Sequence, residues 1–279
     1  MKNNLNITSS QKLMVFVLSM SIYGLATLFT ELLPSFYIGI VEFSVEYFLF
    51  IPLTLAILFD PMSAALGAAT GEIIFSEIML GQFGGIGEIE KFIRITMAVY
   101  VAGRLVNDPL NRKRIVLAVF IGLLLDLGTG ALVDIAKVQF GIEEFEAVAG
   151  LPESVWATEG FAFLNDILFS GILFAILPTV YLVPKLYGKI EPLLGTEPRT
   201  RESEMEKFDL SLFIKLLVAG VVALGVEMLS ESGFELFSWE MEWAESKTSI
   251  VISMVLACLV AVFAILAVRE KNKTSKQSQ

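Results

Sequence analysis

Apolar residues in this chain come in unbroken runs of about 20, and that feature constrains the fold more than any other. Such a run can cross a hydrocarbon layer roughly 30 Å thick at 1.5 Å per residue. Backbone amides in lipid find no water, so each run must be helical or belong to a closed barrel. The runs are continuous and do not alternate apolar with polar residues, which selects helices over barrel strands. Composition agrees. The chain is 55% hydrophobic, against roughly 45–50% in soluble domains.

The pattern predicts eight spans, over 12–30, 43–59, 61–80, 89–106, 115–135, 160–183, 210–229 and 249–268. The first run is too long for a cleavable signal and is read as a membrane helix. Asp60-Pro61 marks a tight break, with Pro61 opening span 3 where its missing N–H costs nothing. The segment 81–87 is glycine-rich, and the loop 136–159 is acidic.

Fifteen of the 20 lysines and arginines fall on one side of this alternation. They lie at the N-terminus, at the end of span 4 (Arg104), in the 107–114 turn, in the 185–208 linker and in the tail 269–279. The opposite loops are acidic. The positive-inside rule then places both termini in the cytoplasm of a cell membrane. The expected architecture is an all-α polytopic membrane bundle: a six-helix core over 1–184, the linker, and a transmembrane hairpin over 209–268.

Several chemistries have no footing. The chain has no histidine, which removes the commonest general base and transition-metal ligand. Its one cysteine, Cys258, sits in an apolar run, where packing is its ordinary role. There is no phosphate-binding Gly-x-x-x-x-Gly-Lys loop, so this chain does not hydrolyse ATP itself. No enzyme activity, cofactor, metal or nucleic-acid partner is expected.

Acidic residues at membrane depth carry more information. Glu42 and Glu46 are read as an i,i+4 pair at the outer end of span 2. Glu72 and Glu77 lie in span 3, Asp126 and Asp134 in span 5, and Asn165 with Asp166 in span 6. An ionised carboxylate in hydrocarbon costs roughly 2.5–3.5 kcal/mol on insertion scales. Such groups must face a cavity, pair with a cation or take up a proton. Lys91 and Arg94 are the local partners. Two readings stay open: structural ion pairs, or a ligand site with an acidic surplus suited to a cationic or amine-bearing molecule. Aromatic residues in the acidic loops, Phe140, Phe145, Trp156, Phe234, Phe237, Trp239 and Trp243, read as interfacial anchors or as a lid.

The stretch from Ala56 to Glu72 ends one apolar helix at Leu-Phe-Asp-Pro and opens another of small residues closing in Gly-Glu. Ala64 and Ala68, Ala65 and Ala69, and Gly67 and Gly71 are each one turn apart, forming faces on which helices approach closely. This stretch, with the six-helix count, resembles the S-components of energy-coupling factor transporters, whose corresponding helix closes in Leu-Phe-Gly-Pro. The resemblance covers roughly 36–183. Here Asp60 stands for the usual glycine and Glu72 for the commoner aspartate. Span 1 carries Ser19, Ser21, Gly24 and Ala26 where the family often has an Ala-x-x-x-Ala face.

The resemblance implies a membrane subunit that captures a small micronutrient from outside. Its partners would be a membrane coupling subunit and two ATPase subunits. Two other functions are compatible with the residues: an autonomous proton- or cation-coupled carrier using Glu72, Asp126 and Asp166, and a membrane scaffold without transport.

Overall fold

The computed structural model describes residues 7–199, apart from 39, 82, 84–87, 143, 146 and 149, together with 209–231. Span 8, Cys258, the tail, most of the glycine-rich segment and the aromatic residues 234–243 lie outside the described residues.

The chain opens with α1, Ser9–Glu31, whose start is set by a capping box. The Gln11 amide donates to the Thr8 hydroxyl, and the Thr8 amide donates to the Gln11 side chain. A short antiparallel hairpin follows, β1 Phe36–Ile38 and β2 Val41–Phe43, with Tyr37 opposite Glu42. Next come α2, Phe50–Leu58, and α3, Pro61–Glu72, which continues as a π-helical turn over Ile73–Ile78. Then α4 spans Glu88–Leu105 and α5 spans Arg112–Gln139. From Val155 to Leu186 the chain is helical throughout: α6, Val155–Asp166, a π-helical segment, Ile167–Ile176, and α7, Leu177–Leu186. After a 3-10 turn at Glu191–Leu194 comes α8, Leu210–Glu231.

This is an all-α membrane protein with one small hairpin. Among the described residues, three helical stretches are long and apolar enough to cross a membrane: Ser9–Glu31, Arg112–Gln139 and Val155–Leu186. With 28 residues, α5 runs roughly 42 Å, more than the hydrocarbon layer needs. By contrast α4 carries Glu88, Glu90, Lys91, Arg94 and Arg104, yet its second half is buried. A helix so charged holds its place through its neighbours and not through lipid.

Span 2 differs from expectation. The segment 43–49 is not helical, and α2 begins only at Phe50. Pro52 becomes the third residue of the helix, in the first turn, where backbone N–H groups have no intrahelical acceptor and proline is tolerated. Glu42 therefore sits on a strand and Glu46 on irregular backbone, so the i,i+4 helical relation between them does not exist. Phe36, Tyr37, Ile38, Val41 and Phe43 supply the β-branched and aromatic side chains that a strand pair favours.

At the centre lies α3, packed against α1, α2 and α4. Its small residues make this possible. Ala64, Ala65, Gly67, Ala68, Ala69 and Gly71 are all buried. The Ser19 hydroxyl of α1 donates to the Ala64 carbonyl at 2.7 Å. A Cβ on Gly67 would meet the Phe16 carbonyl, and one on Gly103 of α4 would lie 2.8 Å from the Ala56 Cβ.

The break before α3 is held by its cap. Asp60 accepts from the Ser63 amide at 2.8 Å and from the Ser63 hydroxyl at 2.6 Å. Replacing Asp60 by alanine is expected to cost about 1 kcal/mol, with asparagine keeping most of the stability. Thermal melting in detergent reads both. Equal melting of the alanine variant and the wild type would show that the cap contributes nothing.

The start of the linker is packed onto the same end of the bundle. The Gln11 side chain donates to the Gly195 carbonyl at 2.6 Å. Arg199 is buried and donates to the Phe59 carbonyl, while the Tyr187 hydroxyl donates to the Arg199 carbonyl. Burial pushes the Arg199 guanidinium down to about 10, still charged at neutral pH, with Asp60 and, more weakly, Glu191 as compensating acids.

Candidate functional site

Three acids and two bases meet inside the bundle. Glu72 comes from the end of α3, Glu77 from the π-helical turn after it, Lys91 and Arg94 from α4, and Asp126 from α5. Lys91 Nζ lies 3.5 Å from Glu72 Oε1 and also donates to Glu77. Arg94 Nε lies 3.2 Å from Asp126 Oδ1. All three carboxylates belong to residues less than 10% exposed, so water does little to screen these pairs.

Local sequence explains the placement. Lys91 and Arg94 are i,i+3 on α4 and share one face, each reaching a different neighbouring helix. A side chain at Gly130 of α5 would occupy the place of the Arg94 guanidinium, so the glycine makes room for the cation. The turn that carries Glu77 is wound with i→i+5 bonding, as in Met79 N–H to the Ile74 carbonyl at 3.1 Å. Such turns recur at functional sites because they re-aim side chains that a regular helix would direct elsewhere.

Two tyrosines complete the cluster, and the sequence reading did not single out either. Tyr23 of α1 is buried, and its hydroxyl is hydrogen-bonded with Glu72. Tyr47, between β2 and α2, is 7% exposed, and its hydroxyl has no hydrogen-bond partner among the described residues. It lies within electrostatic reach of Asp126 and Arg94 on one side and of Glu46 and Asp166 on the other. Glu72 Oε2 is likewise buried and without a hydrogen-bond partner among the described residues.

The remaining expected residues form a separate rim at the hairpin end. The Asn165 side chain donates to the Glu42 carbonyl at 2.9 Å, tying α6 to the hairpin. The Ser170 hydroxyl donates to the Ser44 carbonyl at 3.0 Å, and the Ser44 hydroxyl donates to Glu46. Asp166, just before the second π-helical segment, lies within electrostatic reach of Glu46, Glu42 and Glu159. Thus Glu42, Glu46, Asn165 and Asp166 are one group, and Glu72, Glu77, Arg94 and Asp126 another, with Tyr47 between them. Asp134 stands on the same helix as Asp126, two turns on, within electrostatic reach of Arg94. Phe140, Phe145 and Trp156 are exposed.

A cavity of about 290 Å³ adjoins the cluster between α4, α5 and α8. Glu90, Arg94 and Thr129 supply its polar wall, and Met97, Leu132 and Leu217 are among its apolar lining.

The sequence model of one protein family matches residues 14–277. The chain belongs to DUF8171, a family of unknown function. No curated protein and no solved structure matches it. The DUF8171 match begins inside α1 and runs past α8, so the charged cluster, the rim and the cavity all lie within the family's extent.

Proposed function

We propose that this protein is a membrane-embedded binding subunit that takes up a small cationic or amine-bearing molecule, in the manner of the S-components it resembles. One observation carries the reading. Glu72, Glu77 and Asp126 outnumber Lys91 and Arg94 in a buried site, and two polar atoms there, Tyr47 Oη and Glu72 Oε2, lack hydrogen-bond partners among the described residues. A buried surplus of negative charge is costly unless a cation or a proton neutralises it. The unpartnered oxygens are acceptors of the kind an ammonium group needs.

The second acidic group supports a path. Glu42, Glu46 and Asp166 lie at the hairpin end, which the loop charges assign to the outside of the cell, and Tyr47 links them to the inner cluster. The adjoining apolar cavity would suit a ligand with a hydrophobic body. Energy for release would come from partner subunits, a membrane coupling protein and two ATPases.

Mass spectrometry of the gently purified protein is expected to find a bound amine or cation. Tyr47→Phe should weaken its retention about tenfold, the equivalent of one hydrogen bond to a charged group. Co-purification of ATPase subunits would support the coupling arrangement. Purified protein that carries no small molecule, and that no amine or cation stabilises against heat, would sink the binding reading.

A proton-coupled carrier is the second reading, since one proton would also neutralise the surplus. It calls for pH-dependent uptake by this chain alone in liposomes, with Glu72→Gln abolishing the dependence.

A further inference from the structure

A second cavity, of about 380 Å³, lies at the opposite end of the bundle, where α4 ends and α5 begins. Its walls differ in kind. Arg104, Asn107 and Arg114 supply cationic and amide donors, and Leu105, Leu117 and Ile121 supply an apolar wall. Leu105 and Leu117 are 39% and 59% exposed, so the apolar wall continues onto the outer surface of the bundle. Arg114 is also exposed.

The location suits an anion. Arg114 stands in the first turn of α5, a helix of 28 residues whose N-terminal end carries a positive partial charge. Asn111 caps that end through the Arg114 amide at 3.2 Å. Arg112 and Lys113 sit beside it in the same turn. Arg104 is oriented by the ring of Tyr100, with its guanidinium carbon 5.4 Å from the ring centroid.

We propose that this cavity binds the phosphate headgroup of an anionic glycerophospholipid, with one acyl chain along Leu105, Leu117 and Ile121. A free phosphate would be held by the two arginines but would leave the apolar wall uncovered. A zwitterionic lipid would fit the wall but carry its own ammonium group toward two guanidinium groups. An anionic phospholipid matches both surfaces, and basic pockets between membrane helices commonly hold such headgroups. The proposal stands apart from the ligand argued above, because it uses none of the residues of that site.

Native mass spectrometry of the full chain, released from detergent containing equimolar phosphatidylglycerol and phosphatidylcholine, tests it. The wild type is expected to retain phosphatidylglycerol preferentially. Arg114→Gln should lower that retention about fivefold, the effect of one interfacial cation. Lys113→Gln makes the same charge change one residue away, outside the cavity lining, and should lower retention clearly less than Arg114→Gln does. Arg114 is exposed, so its loss does not threaten folding, and Arg104→Gln added to it should remove the preference. Equal retention of the two lipids by the wild type would overturn the proposal, as would equal effects of the Arg114 and Lys113 substitutions. Complete displacement of phosphatidylglycerol by an equal concentration of inorganic phosphate would also overturn it, by showing that the site reads phosphate alone.

Discussion

Replacing Arg94 by alanine is expected to destabilise the bundle by about 3–5 kcal/mol. The substitution strands Asp126 among α4, α5 and the tyrosines without the cation 3.2 Å away. Protonating an aspartate offers no cheap escape, since at neutral pH that costs about 4 kcal/mol from a reference pKa near 3.9. The loss therefore measures an uncompensated buried charge and not the net worth of the pair. The control follows from the same physics. Arg94→Met combined with Asp126→Leu removes both charges and should recover most of the stability, because a well-packed apolar pair is often as stable as a buried ion pair. The double variant would fold and yet lose the proposed ligand. Thermal melting in detergent reads stability, and ligand retention reads function. An Arg94→Ala variant that melts with the wild type would mean that water reaches Asp126 freely.

How far the fold and the site could be read in advance depended on the kind of interaction each residue makes. The central seam was legible because Ala64, Gly67, Ala68 and Gly71 repeat at helical spacing, and small residues at that spacing have few uses other than close approach. Charges within apolar runs were legible for a similar reason: Glu72, Lys91, Arg94 and Asp126 are expensive there, so they had to pair, face a cavity or take up a proton. Which acid met which base was not legible, since it depends on helix rotation and on the π-helical turn over Ile73–Ile78. Tyr23 and Tyr47 gave no signal, because an aromatic residue in an apolar run reads as packing until its hydroxyl is located. Residues 43–49 misled because a short apolar segment has no period long enough to separate helix from extended or irregular backbone. The buried Arg199 lay in a stretch whose polarity resembled an exposed linker, and only its contact with the Phe59 carbonyl reveals it.

The seam between α1 and α3 supplies the other large effect. Gly71→Leu is expected to prevent recovery of monodisperse protein. A Cβ at Gly71 would meet the Met20 carbonyl and lie 3.1 Å from the Gly24 amide nitrogen. These are backbone atoms, so no rotamer change relieves the clash, and the helices must separate. Separation also breaks the bond from Ser19 to the Ala64 carbonyl. Even Gly71→Ala should cost about 1–3 kcal/mol by overpacking. Gly225→Leu on α8 is the matched control, since nothing lies within 4 Å of a Cβ there, and it should melt near the wild type. The two glycines that face each other make a sharper test. A Cβ on Gly24 would lie 2.8 Å from the Gly71 carbonyl oxygen, so alanine at either position opens the same gap. Once one alanine has forced the helices apart, the second should cost little, and Gly24→Ala with Gly71→Ala should fall well short of additivity. Strict additivity of the two losses would show that each methyl is absorbed locally and that the backbones do not touch. A seam this close also fixes what α1 can offer elsewhere. Ser19, Tyr23, Gly24 and Thr27 are buried within the bundle, which leaves Leu13, Val17 and Leu25 as the exposed apolar side of α1.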